Sequence, residues 1–400
     1  MAEQDPWLTI VGIGEDGPAG LCAASRAALD RAAHVFGAPR QLALLPALTA
    51  TQEQWPVPFA EGVERLLARR GRPTVMLASG DPFWFGAGGT VTALLGRDEW
   101  VAYPARSTFA LAAARLGWRL EETACLGLHA APLGRLRPLL APGERAIVLV
   151  RDGDAAAETV RYLVAQGFGA SAVTVLEALG GARERIRTTT AAAWDLTDAA
   201  HPVALAIAVS GDGRVMPRAS GLADDWFAHD GQLTKRPQRA LALSALAPRA
   251  GELLWDIGAG SGSIAIEWLL AHPRTVAVAI ERDPVRAARA RANADSLGVD
   301  RLRLVDGAAP AVLADLPPPD AVFVGGGLCD ALLDWLFGSL PAGTRLVAHA
   351  VTLESEALLA ARHAAHGGAL LRVELAEAAA LGARRGWRAS FPIVQWSVIL

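Results

Sequence analysis

Short apolar runs alternate along this chain with glycine-rich turns and alanine-rich stretches of helical spacing. In the first half, Trp7–Ile13, Thr74–Ala78, Trp100–Tyr103, Ala146–Val150, Val173–Leu176 and Ala204–Val209 read as strands. Between them, Ser25–Ala33, Thr108–Leu116 and Ala155–Gln166 carry helical periodicity. In the second half the strands are expected at Leu253–Ile257, Val276–Ile280, Leu302–Val305, Ala321–Val324, Arg345–His349, Leu370–Leu375 and Ile393–Leu400. Helices are expected over Leu241–Leu246, Ser263–Leu270 and Pro284–Leu297. This alternation predicts α/β layers. Residues 211–233 interrupt it with Gly, Asp and Ala and no clear period, so they read as a connector. A length of 400 residues also exceeds what one core ordinarily covers. The expected division is therefore 1–212 and 213–400.

Charge and cysteine usage narrow the function classes. The 38 basic residues against 41 acidic ones give a net charge of -3. That argues against nucleic acid as the main partner, since phosphate contacts need a positive surplus. It leaves room for a local basic pocket that holds a small anion. Cys22, Cys125 and Cys329 lie far apart and form no CxxC pair, which predicts free thiols in a reducing compartment. The stretch MAEQDPWLTIVGIG lacks the basic region and apolar run of a signal peptide. No apolar run reaches the roughly 18 residues of a membrane span. A cytoplasmic protein with no membrane partner is the expectation. The basic residues include a single lysine, Lys235; an arginine bias this strong makes most arginines uninformative and that lysine worth following.

The densest chemistry lies in the second half. Asp256-Ile257-Gly258-Ala259-Gly260-Ser261-Gly262 follows a strand and precedes a helix. Such a loop brings backbone close to a ligand, with helix N–H groups facing it. Glu281 ends the next strand about twenty residues on, where a carboxylate can accept both ribose hydroxyls. Asp256 can meet an amino group, and Asp306, Gly307 and Ala308 end the third strand, where adenine can be gripped. This arrangement resembles the class I S-adenosylmethionine (SAM) methyltransferases. A dinucleotide dehydrogenase would more often space its glycines for a pyrophosphate. The order HDGQLTKRPQRALALSAL, LLWDIGAGSGSIAIEW, AVFVGGG further resembles the decarboxylating precorrin methyltransferase domains, over roughly 215–400. That resemblance implies SAM contacts at Thr234, Asp256, Gly258, Ala259, Gly260, Ser261, Gly262, Glu281, Gly307 and Ala308. Thr234 also reads as an N-cap for a helix over Lys235–Leu246.

The first half carries VGIG at Val11–Gly14, SGDPFWFG at Ser79–Gly86 and Pro104-Ala105-Arg106-Ser107-Thr108 opening a helix. In this order they resemble the tetrapyrrole methylase family over about residues 6–210. The resemblance implies a two-lobed α/β domain in which Gly12, Gly14, Gly80, Asp81 and Ser107 border the cofactor. Asp81 and Arg106 are candidate substrate contacts, and Trp84 a candidate stacking surface. Alone, SGDP is an Asp-Pro turn.

Taken together, the halves resemble a fusion of a tetrapyrrole methylase with a Rossmann-like class I methyltransferase. The resemblance implies two methyl transfers from SAM to a reduced tetrapyrrole, at carbons 5 and 15, with S-adenosylhomocysteine as product, together with loss of CO2 from the ring C acetate. It implies carbon 5 for the first domain, carbon 15 and decarboxylation for the second, and a homo-oligomer. No dedicated base and no metal are expected, because the sulfonium is already activated and the macrocycle supplies its own electron sink. His363 and His366 form an HxxH spacing without an evident third ligand. Lys235, Arg236 and Arg239 are expected to hold non-reacting carboxylates, since a cation on the reacting acetate would oppose CO2 loss. An RNA methyltransferase with an accessory domain is the alternative; it predicts a polar-Pro-Pro-aromatic turn where this chain has Val324-Gly325-Gly326-Gly327.

Overall fold

The computed structural model describes residues 6–400; the leading residues 1–5, read above for a targeting signal, lie outside them. The chain divides into two compact units. The first comprises residues up to 131 and 139–214; the second comprises 215–400 with the short segment Pro132–Pro138. The boundary thus falls at 214/215, two residues beyond the expected one.

The first unit opens with a five-stranded, all-parallel sheet. Its strands are β1 (Leu8–Ile13), β2 (His34–Gly37), β3 (Thr51–Gln54), β4 (Thr74–Ser79) and β5 (Trp100–Tyr103), in the order β3-β2-β4-β1-β5. In β1, Leu8, Ile10, Val11 and Ile13 are at most 1% exposed, as expected of a strand covered on both faces. Helices α1 (Ala23–Arg31), α2 (Pro39–Ala43), α3 (Phe59–Leu67) and α4 (Gly88–Thr92) connect these strands. Helix α5 (Thr108–Leu116) follows; the Ser107 hydroxyl caps it by accepting the Ala110 N–H at 3.1 Å, and Gly117, with φ +66°, ends it. A second, mixed sheet contains β6 (Ala124–Gly127), β7 (Arg145–Val150), β8 (Ala172–Glu177), β9 (Arg185–Thr190) and β10 (Val203–Ala208), in the order β6-β7-β10-β8-β9. Helix α6 (Gly153–Ala165) lies between β7 and β8 in sequence. The expected two-lobed α/β organisation is what these sheets form.

The second unit is built on a seven-stranded sheet. Strands β11 (Leu253–Ile257), β12 (Val276–Glu281), β13 (Arg303–Asp306), β14 (Ala321–Val324) and β15 (Arg345–Ala350) are parallel, and β19 (Ile393–Ile399) runs antiparallel between β15 and β16 (Ala369–Val373). The order β13-β12-β11-β14-β15-β19-β16 reverses direction beside β11. In open sheets of this kind ligands bind outside the strands' carboxyl ends at such a reversal. Helices α7 (Arg236–Leu246), α8 (Ser263–Ala271), α9 (Pro284–Ser296), α10 (Asp330–Ser339) and α11 (Leu353–His366) connect the sheet. Trp268 and Phe323 anchor one buried cluster, Trp255 and Trp396 another. Burying such a side chain is worth about 1.5–3 kcal/mol. Helix α10 and the hairpin of β17 (Ala376–Leu381) and β18 (Arg384–Ala389) were not foreseen. Among the described residues no helix is long and apolar enough to cross a membrane.

Thr234 does not cap α7, contrary to the sequence expectation. The helix starts one residue later, and Lys235 occupies the cap without a side-chain hydrogen bond. A cap at Thr234 would need the N–H of Arg236 or residue 237. Asp224 already accepts the Arg236 N–H at 3.0 Å, and residue 237 is a proline with no N–H to give.

Candidate functional site

A cavity of about 870 Å³ opens at the carboxyl ends of β12, β11, β14 and β15. The glycine loop forms its floor. Gly258, Gly260 and Gly262 adopt φ of +72°, +58° and +76°, the left-handed region that glycine enters without strain. Each serves a different end. A Cβ on Gly258 would lie 2.7 Å from the backbone of Gly326, so these two strand ends pass at glycine-only distance. A Cβ on Gly262 would press on Ala290 of α9 at 3.0 Å. A Cβ on Gly260 would meet nothing nearer than the Gln232 carbonyl at 4.0 Å, so its absence leaves the cavity open.

Two carboxylates brace this loop. Glu281, at the end of β12 and 6% exposed, accepts the Gly260 N–H at 2.8 Å and the Asp283 N–H at 3.0 Å. Asp256 is 1% exposed and accepts the Ala265 N–H in the first turn of α8 at 3.1 Å. Burial, with the Glu281 charge adding to it, pushes its carboxyl up to about 7, against the Ala265 hydrogen bond. Asn293 on α9 ties the loop to the connector: its amide donates to the carbonyls of Ser261 and Ala228 and accepts the Ala228 N–H. Asp230 of the connector, held down to about 2 first by the Gln232 N–H and then by Arg289 and Arg286, pairs with both arginines.

Of the residues expected to touch SAM in this half, Thr234, Asp256, Gly258, Ala259, Gly260, Ser261, Glu281, Gly307 and Ala308 line the cavity. Gly262 is set back as the N-cap of α8. The basic trio separates. Lys235 stands on the wall, half exposed, its Nζ 3.7 Å from Asp224. Arg236 is exposed and outside the lining. Arg239 is not a substrate contact: it is fully buried, pairs with Glu267 at 2.5 Å and with Asp224 at 3.3 Å, and donates to the carbonyls of Leu222 and Thr234. Glu267 in turn accepts the N–H groups of Gly221 and Leu222, so this buried pair fastens the connector to α7 and α8.

Sequence reasoning missed the far wall of the cavity, formed by Gln238, Phe323, Gly325–Gly327, His349, Val351 and Ile393 among others. Gln238 is 3% exposed, and among the described residues its amide oxygen has no hydrogen-bond partner. His349 is 8% exposed and donates from Nε2 to the Gln395 amide oxygen at 3.0 Å. Gln238, Phe323 and Gly325–Gly327 lie within segments quoted above for the resemblance but were assigned no role, and no motif announces His349, Val351 or Ile393.

In the first unit the loops after β1, β4 and β5 interlock. The Gly80 N–H donates to Ile13 at 3.0 Å, and the Ala105 N–H donates to Gly80 at 3.1 Å. A Cβ on Gly12 would sit 2.1 Å from the Gly80 oxygen. Gly80 itself has φ +59°. Beside Gly14, the Asp16 carboxylate pairs with Arg106, whose side chain is 64% exposed. Asp81 accepts the Phe83 N–H at 2.9 Å, which makes it a turn residue. Ser107 is buried and committed to its cap. Trp84 stays 38% exposed while resting on Phe109 at 4.8 Å. Among the described residues no three His, Cys, Asp or Glu side chains gather as a metal cluster, and His366 packs on Phe337 at 4.1 Å.

Comparison with known proteins follows the same division. Residues 7–195 match the tetrapyrrole (corrin/porphyrin) methylases, and residues 225–400 match the precorrin methyltransferase domain. A Sinorhizobium protein named precorrin-6Y C(5,15)-methyltransferase [decarboxylating] is 48% identical over 98% of this chain and 96% of its own length. A shorter Salmonella typhimurium protein, cobalt-precorrin-6B C(15)-methyltransferase (decarboxylating), is 35% identical over 40% of this chain and 85% of its own. The crystal structure of the C-terminal domain of the Rhodobacter capsulatus precorrin-6Y C5,15-methyltransferase is 55% identical, covering 46% of this chain and all of that one, with a TM-score of 0.45. The chain belongs to the decarboxylating precorrin-6Y C(5,15)-methyltransferase family.

Proposed function

We propose that this chain methylates precorrin-6Y at carbons 5 and 15 with SAM and removes CO2 from the ring C acetate, giving precorrin-8X. The second unit is assigned carbon 15 and the decarboxylation, the first unit carbon 5. Membership of the family carries the reading, and a relative of less than half this length, named for C(15) methylation and decarboxylation alone, supports the division.

The second-unit cavity fits SAM on its own terms. Gly260 leaves a cradle that a Cβ would begin to fill, and Gln238 holds a buried, unpartnered acceptor on the wall. In this reading Glu281 accepts the ribose hydroxyls and Gly307 and Ala308 border the adenine, all three lying on the cavity lining. When bound, SAM supplies a methyl group on an already activated sulfonium. The residues here bind and orient: holding donor and acceptor in line is worth on the order of 7–11 kcal/mol. Asp256 offers a carboxylate to the cationic end, and Lys235 suits a carboxylate of the macrocycle that does not react. An RNA substrate is disfavoured by Gly325-Gly326-Gly327 standing where a base-gripping turn would be.

Anaerobic incubation of the full chain with precorrin-6Y and SAM, read by mass spectrometry, is expected to show gain of two methyl groups and loss of CO2. A product without either change overturns the reading.

A further inference from the structure

The chemistry proposed for the second unit has a proton balance. Attack of an enamine carbon on the methyl group forms a C–C bond and breaks the S–C bond, whose pair stays on sulfur. The ring nitrogen then sheds its N–H proton and becomes an imine. In the second step the bond from the acetate methylene to its carboxylate breaks, and the pair flows into the conjugated imine. The methylene carbon must then gain a proton to become a methyl group. One proton leaves and one is required, and the sulfonium charge cancels the carboxylate charge. No outside acid, base or oxidant is needed if one group in the cavity keeps the proton.

His349 is the penultimate residue of β15, on the cavity side opposite Glu281. Strands β11 and β14 lie between β12 and β15, which puts the two strand ends about 14 Å apart at ordinary strand spacing. Glu281 marks the nucleoside end, so His349 stands at the end left for the macrocycle. Its ring is fixed on two sides. Nε2 donates to Gln395, the residue directly opposite on β19, and the ring meets Phe323 of β14 edge-on at 5.0 Å and 81°. With Nε2 carrying the proton, Nδ1 carries a lone pair, and among the described residues it has no hydrogen-bond partner. Of the other titratable groups on the wall, Arg282 follows Glu281 at the nucleoside end, and four are engaged with protein partners. Asp256 accepts from Ala265, Glu281 from Gly260 and Asp283, Arg286 pairs with Asp230, and Lys235 stands near Asp224.

We propose that His349 is the proton carrier of this cavity: Nδ1 takes the proton released by methylation at carbon 15 and returns it to the methylene carbon after CO2 leaves. This rests on the activity proposed above. Burial holds the imidazole below its usual range, so it rests neutral and, once protonated, gives its proton up readily. A neutral resting carrier also sets the order, methylation before decarboxylation. Neutral His349 and the Gln238 amide give this wall polar contacts without a cation that would trap the reacting carboxylate.

The test is His349→Asn in the full chain, with precorrin-6Y and SAM and products resolved by mass spectrometry. The asparagine keeps a polar amide on the wall but cannot carry a proton at neutral pH. Decarboxylation is expected to fall by roughly 100-fold or more, methylation by less than roughly tenfold, so that methylated product with its acetate intact accumulates. In His349→Ala, added imidazole is expected to restore CO2 loss. An unchanged ratio of CO2 lost to methyl groups gained in His349→Asn overturns the proposal, as does a proportional loss of both steps with no imidazole rescue of the alanine variant. A wild-type chain that methylates nothing overturns the activity reading instead.

Discussion

Both units carry glycines around the carboxyl end of their first strand, and the two sets do different work. Gly12 lets backbone cross backbone: its missing side chain is occupied by the carbonyl of Gly80 and the N–H of Ala105. Gly260 faces open space, and its missing side chain is room for a ligand. Similar letters after similar strands thus mark a packing joint in one unit and a binding floor in the other. The difference lies in what the following strands bring up. In the first unit the loops after β4 and β5 close over β1; in the second, Gly326 approaches Gly258 and leaves Gly260 clear.

The comparison breaks most sharply at Gly12. Gly12→Ala is expected to cost the first unit about 3 kcal/mol through overpacking, read as an earlier urea transition with SAM affinity of the second unit retained. Gly260→Ala should act mainly on binding. Left-handed strain costs about 1–2 kcal/mol, while SAM binding by calorimetry weakens about 100-fold, equivalent to about 2.8 kcal/mol. If the two variants shift stability and binding alike, the contrast is wrong.

The third test uses Asp256. Its folded pKa of about 7 lies above the 3.8 of a free aspartate, so the folded state holds this proton more tightly. The stability it contributes is complete below about 3.8 and is lost as pH rises through about 7. A cationic ligand favours the carboxylate, so SAM binding should release a proton below pH 7 and weaken about tenfold per pH unit there, a tenfold change being about 1.4 kcal/mol. Asp256→Asn should abolish that slope in calorimetry run in two buffers of different ionisation enthalpy. The smallest effect is expected at Lys235, half exposed on the cavity wall. Lys235→Met should raise KM for the macrocycle a few-fold, a loss of about 1 kcal/mol, and lower kcat less; an unchanged KM removes it from the substrate site.

The strands and the glycine loop of the second unit were legible because their signals are local. Asp256 through Gly262 run from the end of one strand to the next helix, and Glu281 ends the very next strand. Arg239 misled because its partners are scattered: Glu267 lies 28 residues away, and the Leu222 carbonyl sits in a connector with no period. A buried ion pair and a substrate-binding arginine look alike until the fold is known. His349 escaped for the same reason. It sits in an ordinary apolar strand, and its chemistry depends on Gln395, 46 residues on, and on Phe323 of the neighbouring strand. Thr234 failed as a cap through two neighbours whose effects combine, Asp224 and the proline at 237.

The buried Arg239 cluster also bears on how compositional drift should be read. This chain writes arginine almost everywhere a cation stands. Lysine could not replace Arg239. Its rigid fork reaches two carboxylates and two carbonyls at once, and a single ammonium on a flexible stem cannot satisfy acceptors arrayed in that plane. Drift and necessity have written the same letter, and only the number of acceptors around it tells them apart.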